Sequence, residues 1–303
     1  MIRVERAGAC DLVMDLGRPG WGALGVPAGG AADAAALAAA NRLVGNDTAA
    51  AGLEITLSGP LLFFPAGAVV ALTGARFAAT RSSGAAVAWN ETLLLAAGES
   101  LDLGPAQDGC RAWLAVRGGL MVPPLMGSRS TFLPAGFGGH QGRALQAGDQ
   151  LAVSPASGGV RLMRAQPPAA VPDLPLRVVP GPQAGQFDDA GLAAFFGGRY
   201  RVDTASDRRG VRLKGPAVTH ARRALASQGV LPGAIQVPPD GQPIILGWDG
   251  PVTGGYPVIA AVIATDLPRL AQRRPGDTVH FSTLEVEIAR TLAVVDWTIE
   301  ELG

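Results

Sequence analysis

Residues 234–248 read AIQVPPDGQPIILGW. Two apolar runs, AIQVPP and PIILGW, flank an Asp-Gly pair, which is the composition of a β-hairpin: the turn reverses the chain and the branched side chains pack on a pleated face. The same pattern extends in both directions along the chain. VVALTGA (69–75), RAWLAVRGG (111–119), QLAVS (150–154), LRVVPG (176–181) and PVIAAVIAT (257–265) are further short apolar runs, and the 42 Gly and 24 Pro fall between such runs, not in one block. This punctuation predicts a mainly β fold with a few helices.

The helices announce themselves by their caps. Asp33 can accept from first-turn N–H groups of AAALAAANRLV, with Gly45 as the stop, and Asp188 and Asp189 open an Ala- and Phe-rich stretch ending at Gly197. Asp266 can cap LPRLAQRR, and Ser282 with Glu285 has capping-box spacing ahead of VEIARTLAVVDW, a segment that could also begin as a strand. Between Ser154 and Pro175 the chain is Pro-rich with little periodicity, so a linker is expected at about 155–175, separating halves at 1–160 and 172–303.

At 303 residues, 48% of them apolar, the chain can bury a large core. Its 25 basic and 25 acidic residues balance, which lacks the footprint of a nucleic-acid or anionic-membrane binder. The N-terminus carries charges at Arg3, Glu5 and Arg6 with no long apolar run behind them, unlike a signal peptide, and Gly and Pro interrupt the uncharged stretch 55–75. Cys10 and Cys110 have no secretory context, so a cytoplasmic chain is expected.

Several chemistries have no motif. The single Lys, Lys214, lies in VRLKGP and not in a Walker loop, the three His are scattered, and no GxSxG elbow occurs. What remains is polar residues set among glycines. In GSRSTFLPAGFGGHQGR (127–143), hydroxyls, guanidinium groups and Gly-freed N–H groups are the parts of an anion cradle or of ordinary turns. In DLGRPGWGALGVPAGGAAD (15–33), Asp15 and Arg18 could pair with each other or present a fork to a carboxylate. SDRRGVRLKGP (206–216) crowds Asp207, Arg208 and Arg212, and in GWDGPVTGGYP (247–257) Gly254 and Gly255 could let the backbone approach a ligand or form a bulge.

Taken with ANRLVGN, LEITLSGP, GAIQVPPDGQPIIL and PGD (275–277), these blocks resemble the carboxyltransferase-like family that holds allophanate hydrolase subunit 2, the antagonist of a sporulation kinase inhibitor, and the C-type subunit of 5-oxoprolinase. The resemblance runs from about Gly8 to about Phe281. It implies two barrel-like, cyclophilin-like β halves, a related B-type subunit of the kinase-inhibitor-like kind, and a sugar-hydrolase-like A-type subunit. It also implies ATP-dependent opening of the 5-oxoproline lactam to glutamate, with the ATP site shared with or located on a partner. Arg129 and Asp207 are then the candidate catalytic residues. Asp15, Arg18, Ser128, Ser130, Arg208, Arg212, Gln236, Thr253, Gly254, Gly255 and Tyr256 are the candidate substrate contacts. Two positions depart from the family pattern: Met14 stands where Gln is common, and Pro251, Val252 and Thr253 stand in place of Gln-Thr-Thr, which removes side-chain donors. Two alternatives stay open. One is a biotin-dependent carboxyltransferase acting on a urea-like amide, with biotin on another chain because Lys214 lies in a Leu-Lys-Gly context. The other is a non-catalytic antagonist that binds a kinase-inhibitor partner.

Overall fold

The computed structural model describes residues 1–169, 174–221 and 225–302. The chain forms two compact units, the first of Met1–Arg18, Gly29–Ala170 and Asp296–Gly303, the second of Pro19–Ala28 and Val171–Val295. Each unit therefore recruits a short segment from the far side of the chain.

The first unit is built on two five-stranded sheets. One orders Gln150–Leu151, Ile2–Arg6, Leu61–Phe64, Glu99–Asp102 and Thr80–Arg81; the other orders Cys10–Met14, Gly52–Thr56, Arg111–Val116, Ala68–Gly74 and Thr92–Leu95. Neighbouring strands pair antiparallel. Side chains alternate across a strand, and in the second sheet both faces are covered. Leu53, Ile55, Leu72 and Leu114 enter the shared core, while Glu54, Thr73 and Trp113 face the other way and are equally buried.

That second face lies under helix α1 (Ala34–Leu43), whose small Ala side chains let it pack close. Asp33 caps it by accepting from Ala36 N at 2.9 Å, and Gly45 follows with φ 71°, a left-handed conformation that glycine adopts without a side-chain clash. Buried Glu54 is satisfied by Ala32 N at 2.7 Å and Trp113 Nε1 at 3.3 Å, with Arg111 Nε at 3.5 Å. Within the stretch expected as a linker, Met163–Gln166 forms a strand that pairs with Thr298–Glu301; residues 170–173 of that stretch lie outside the described residues.

The second unit carries an eight-stranded sheet in the order Thr278–Val279, Tyr200–Val202, Gly210–Lys214, Ile244–Leu246, Ala234–Gln236, Val258–Val262, Leu176–Pro180, Phe281–Thr283. Its two edge strands are separated in sequence only by His280, so the sheet must curl until its edges nearly meet. The result is a nearly closed barrel around Val178, Val202, Leu213, Ile235, Ile245, Ile259 and Phe281. The fold is thus mainly β with barrel-like packing, as the sequence led us to expect. The hairpin at 234–248 is present, with Ile235 opposite Ile245, but its strands are shorter than the apolar runs and its loop longer than two residues.

Helix α2 (Asp189–Gly197) is capped by Asp188, which accepts from Gly191 N at 2.6 Å. Helix α3 (Leu267–Ala271) follows Asp266, but that carboxylate makes no cap bond. It lies fully buried between Arg177 and Arg269 and answers two guanidinium groups instead. Ser282 falls inside a strand, and helix α4 (Val286–Thr291) starts after Glu285 without a side-chain cap. No helix among the described residues is long and apolar enough to cross a membrane.

Asp11, on strand Cys10–Met14, is buried; burial pushes its carboxyl up to about 7, against a bond from Gly8 N at 2.6 Å that lowers it. A carboxyl that holds its proton more tightly when folded than when unfolded stabilises the fold at low pH, and that contribution is lost as pH rises from about 4 to 7. Glu99 and Asp149, both held down at about 2 by Arg81 and Arg143, act in the opposite sense, and only below about pH 4.5. Asp33 is also raised by burial, so Asp11→Asn separates the two. Denaturant melts from pH 4 to 8 should show that Asp11→Asn removes a decline on the order of 3 kcal/mol. An unchanged slope would assign the decline elsewhere.

Candidate functional site

In the first unit, the GSRST block forms a cradle around Asp15. The Asp15 carboxylate accepts from Gly17 N at 2.8 Å, Ser128 Oγ at 2.5 Å, Ser130 Oγ at 2.6 Å and Arg129 N at 2.5 Å. The proton directions are determined. Ser130 Oγ accepts from Asp15 N and Ser128 Oγ from Ser130 N, each at 2.9 Å, so both hydroxyl protons are left for the carboxylate. Thr131 Oγ1 donates to Val13 O at 3.0 Å. The hydroxyls expected to face a ligand anion thus hold an anion of the chain itself.

Arg18 is buried, donates from Nη2 to Ser130 O and lies 5.0 Å from the Phe137 ring centroid. The Asp15 carboxylate thus draws donors from Gly17 and from residues 128–130. Arg129 is exposed; its Nε donates to Val122 O at 3.0 Å, and its terminal nitrogens have no partner among the described residues. Further along the block, Arg143 grips Asp149 with two bonds of 2.7 and 2.8 Å.

In the second unit, Arg208 is buried and forks onto buried Asp249, Nε to Oδ2 at 2.7 Å and Nη2 to Oδ1 at 3.1 Å. Asp249 is the missed member of this pair; the Trp248-Asp249-Gly250 run before TGGYP carried the only signal. Asp207 is exposed and its Oδ1 accepts from Arg209 N at 2.7 Å and Gly210 N at 3.2 Å, shaping its own turn. Arg212 lies exposed on strand Gly210–Lys214.

Gln236, Thr253, Gly254, Gly255 and Tyr256 do come together in this unit. Strands Gln228–Gly229 and Thr253–Gly254 form a two-residue ladder with Gln228 opposite Gly254. Buried Gln236 lies against Gly254 so closely that a Cβ there would collide with its Nε2. Thr253, Gly255 and Tyr256 are exposed around it. Two glutamines that no sequence motif marks join the group: Gln183 Nε2 donates to Gln228 Oε1 at 2.9 Å, and Gln183 Oε1 accepts from Val258 N at 3.1 Å. Gln228 Nε2 and Gln236 Nε2 are buried with no acceptor among the described residues. Among the same residues, no group of three or more His, Cys, Asp or Glu side chains could hold a metal ion.

A nearly closed, mostly antiparallel barrel and a second β unit, with glycine loops carrying buried polar groups, define the chain as a mainly β protein. The chain matches the carboxyltransferase domain family, subdomains A and B, over residues 24–283, and belongs to that family. It is 41% identical to the C-type subunit of 5-oxoprolinase from Escherichia coli over 95% of this chain and 93% of that one. It is 34% identical to the urea amidolyase of Lachancea kluyveri over 95% of this chain but 17% of the relative. The crystal structure of the Kluyveromyces lactis urea amidolyase superposes with a TM-score of 0.87 at 34% identity, covering 96% of this chain and 19% of that one. The chain therefore spans about a fifth of the urea amidolyases it resembles.

Removing Asp15 strands two hydroxyls and two backbone donors in a buried place. Asp15→Ala should therefore lower stability by about 2–4 kcal/mol, whereas Arg129→Ala, which leaves the backbone bond in place, should stay within about 1 kcal/mol. Equal losses in thermal melts would mean the cradle does not depend on the carboxylate.

Proposed function

We propose that this chain is the C-type subunit of an ATP-dependent 5-oxoprolinase that opens the lactam of 5-oxoproline to glutamate together with a related partner subunit. The observation that carries the reading is the unsatisfied amide nitrogen of Gln236 against Gly254, flanked by exposed Gly255 and Tyr256. A lactam carbonyl is a neutral acceptor, and its resonance must be weakened before water can open the ring. Donors held rigidly at that oxygen favour the charge that develops there. The 41% identity with the E. coli protein over nearly the whole of both chains supports the same substrate class.

ATP supplies activation of the lactam oxygen in this reading, and the described residues do not form a site for its phosphates. The cradle that resembles one already surrounds Asp15, and Lys214 is exposed outside any phosphate loop. We therefore assign the nucleotide to a partner chain. Arg129 is the one proposed catalytic group with terminal guanidinium nitrogens open to solvent, and it is read as an anion contact. Asp207, whose carboxylate serves its own turn, is read as a positioning residue, as are Asp15 and Arg208.

The similarity to urea amidolyases favours a second reading, transfer of a carboxyl group from biotin carried on another chain to a urea-like amide. Avidin blotting of material co-purified with the native chain separates the two: a retained biotin carrier supports carboxyl transfer.

In a complex reconstituted with its partner subunits, glutamate release should require both 5-oxoproline and ATP; absence of both glutamate and substrate-dependent phosphate release refutes the proposal. Gly254→Ala should displace the Gln236 amide and lower turnover on the order of a hundredfold with folding intact. Arg129→Ala should lower it by a similar factor and Arg129→Lys should restore little, because a point charge cannot reproduce a two-bond fork. Turnover unchanged in Arg129→Ala would leave that residue a structural role only.

A further inference from the structure

We infer that Gln183 and Gln228 form a polarised amide relay that, with Gln236 beside it, presents two neutral N–H donors near Gly254, a subsite for the carbonyl oxygen of an amide or lactam group. It rests on the ring-opening reading only for the identity of the natural substrate.

The polarity follows from one backbone group. Val258 N can only donate, so the Gln183 atom 3.1 Å from it is the oxygen, and the Gln183 nitrogen must face Gln228. That nitrogen needs an acceptor, which turns Gln228 with Oε1 toward Gln183 at 2.9 Å and leaves its Nε2 as the outward group. Gln228 is opposite Gly254 in an antiparallel ladder, and directly opposed residues project to the same face. Gly254 has no side chain, and the Gln236 nitrogen fills the place where one would begin. Two donors thus flank one position, each buried and without an acceptor among the described residues.

A buried donor left unpaired is unfavourable, so a pair of them beside a glycine marks a place where the missing oxygen arrives with a ligand. The ligand's charge follows from the same atoms. All three side chains are neutral, and Arg208, the buried guanidinium among the described residues of this unit, is forked onto Asp249, so an anionic group gains no counter-charge from either. A cation would meet N–H hydrogens. A neutral carbonyl offers two lone pairs to two N–H groups. A cleft of about 470 Å³ lies in the same unit, lined in part by Gly22, Pro27, Val230, Gly229 and Thr253. The last two are the pair next to Gln228 and Gly254, in a ladder only two residues long, which is among the least costly kinds of sheet to open.

Gln183 acts through Gln228 and is a positioning residue. Gln183→Glu still accepts from Val258 N but can no longer donate, so Gln228 should turn its nitrogen inward and present its oxygen to the subsite. Gln228→Glu keeps the acceptor for Gln183 and removes the donor. The test is titration of the full-length chain by NMR with 2-pyrrolidinone, a neutral lactam, against acetate, with thermal melts to show that each variant folds. The wild type should bind 2-pyrrolidinone in preference to acetate, and both variants should bind it more weakly on the order of tenfold. In the reconstituted complex, kcat/KM for 5-oxoproline should fall by at least a similar factor. If Gln228→Glu fails to fold, Gln183→Glu alone carries the test.

A wild type that does not bind 2-pyrrolidinone, a preference for acetate, or unchanged binding by the variants overturns the subsite. A complex inert toward 5-oxoproline, whose chain nonetheless loses 2-pyrrolidinone binding in both variants, sinks the ring-opening reading and upholds the relay.

Discussion

The buried carboxylate of Asp15 organises the first unit. An ionised carboxyl removed from water needs donors on both oxygens, and Ser128, Ser130 and the backbone of Gly17 and Arg129 supply them. Because two of those donors are side-chain hydroxyls whose own oxygens accept from the backbone, the loop is held by a closed circuit and not by one bond. The circuit ties the end of a strand to a loop 113 residues further along the chain. The backbone N–H of Arg129 belongs to this circuit, while its side chain is exposed and donates from Nε to Val122 O.

The second unit applies the same rule to its charges and departs from it with its amides. Asp249 receives the fork of Arg208, and Asp266 lies between Arg177 and Arg269. Two buried amide nitrogens without an acceptor among the described residues, those of Gln228 and Gln236, lie instead beside Gly254. An unpaired buried charge costs more than an unpaired buried amide N–H, roughly 3–5 against 1–3 kcal/mol.

Much of the architecture was legible in the sequence. The Gly- and Pro-punctuated apolar runs marked the strands, and Asp33 with Gly45 and Asp188 with Gly197 bracketed their helices, because alternation and capping are local properties. Asp266 and Ser282 carried the same local signal and were used differently, one drawn to two arginines and one absorbed into a strand. Of the polar blocks, the residue types were readable but their partners were not. GSRST has the composition of an anion cradle, and nothing nearby in sequence reveals that the anion is Asp15.

The sequence by itself determined the β class, the sites of chain reversal and the family, since each rests on short-range pattern or on motifs carried whole. Only the tertiary structure decided which polar groups are satisfied and which remain open. Gln183, Gln228 and Gln236 lie in three unremarkable contexts, GPQ, SQG and AIQV. They become one group because a strand pairing and the missing side chain of Gly254 bring them together, and hydrogen-bond polarity is a property of contacts between segments that no single segment encodes.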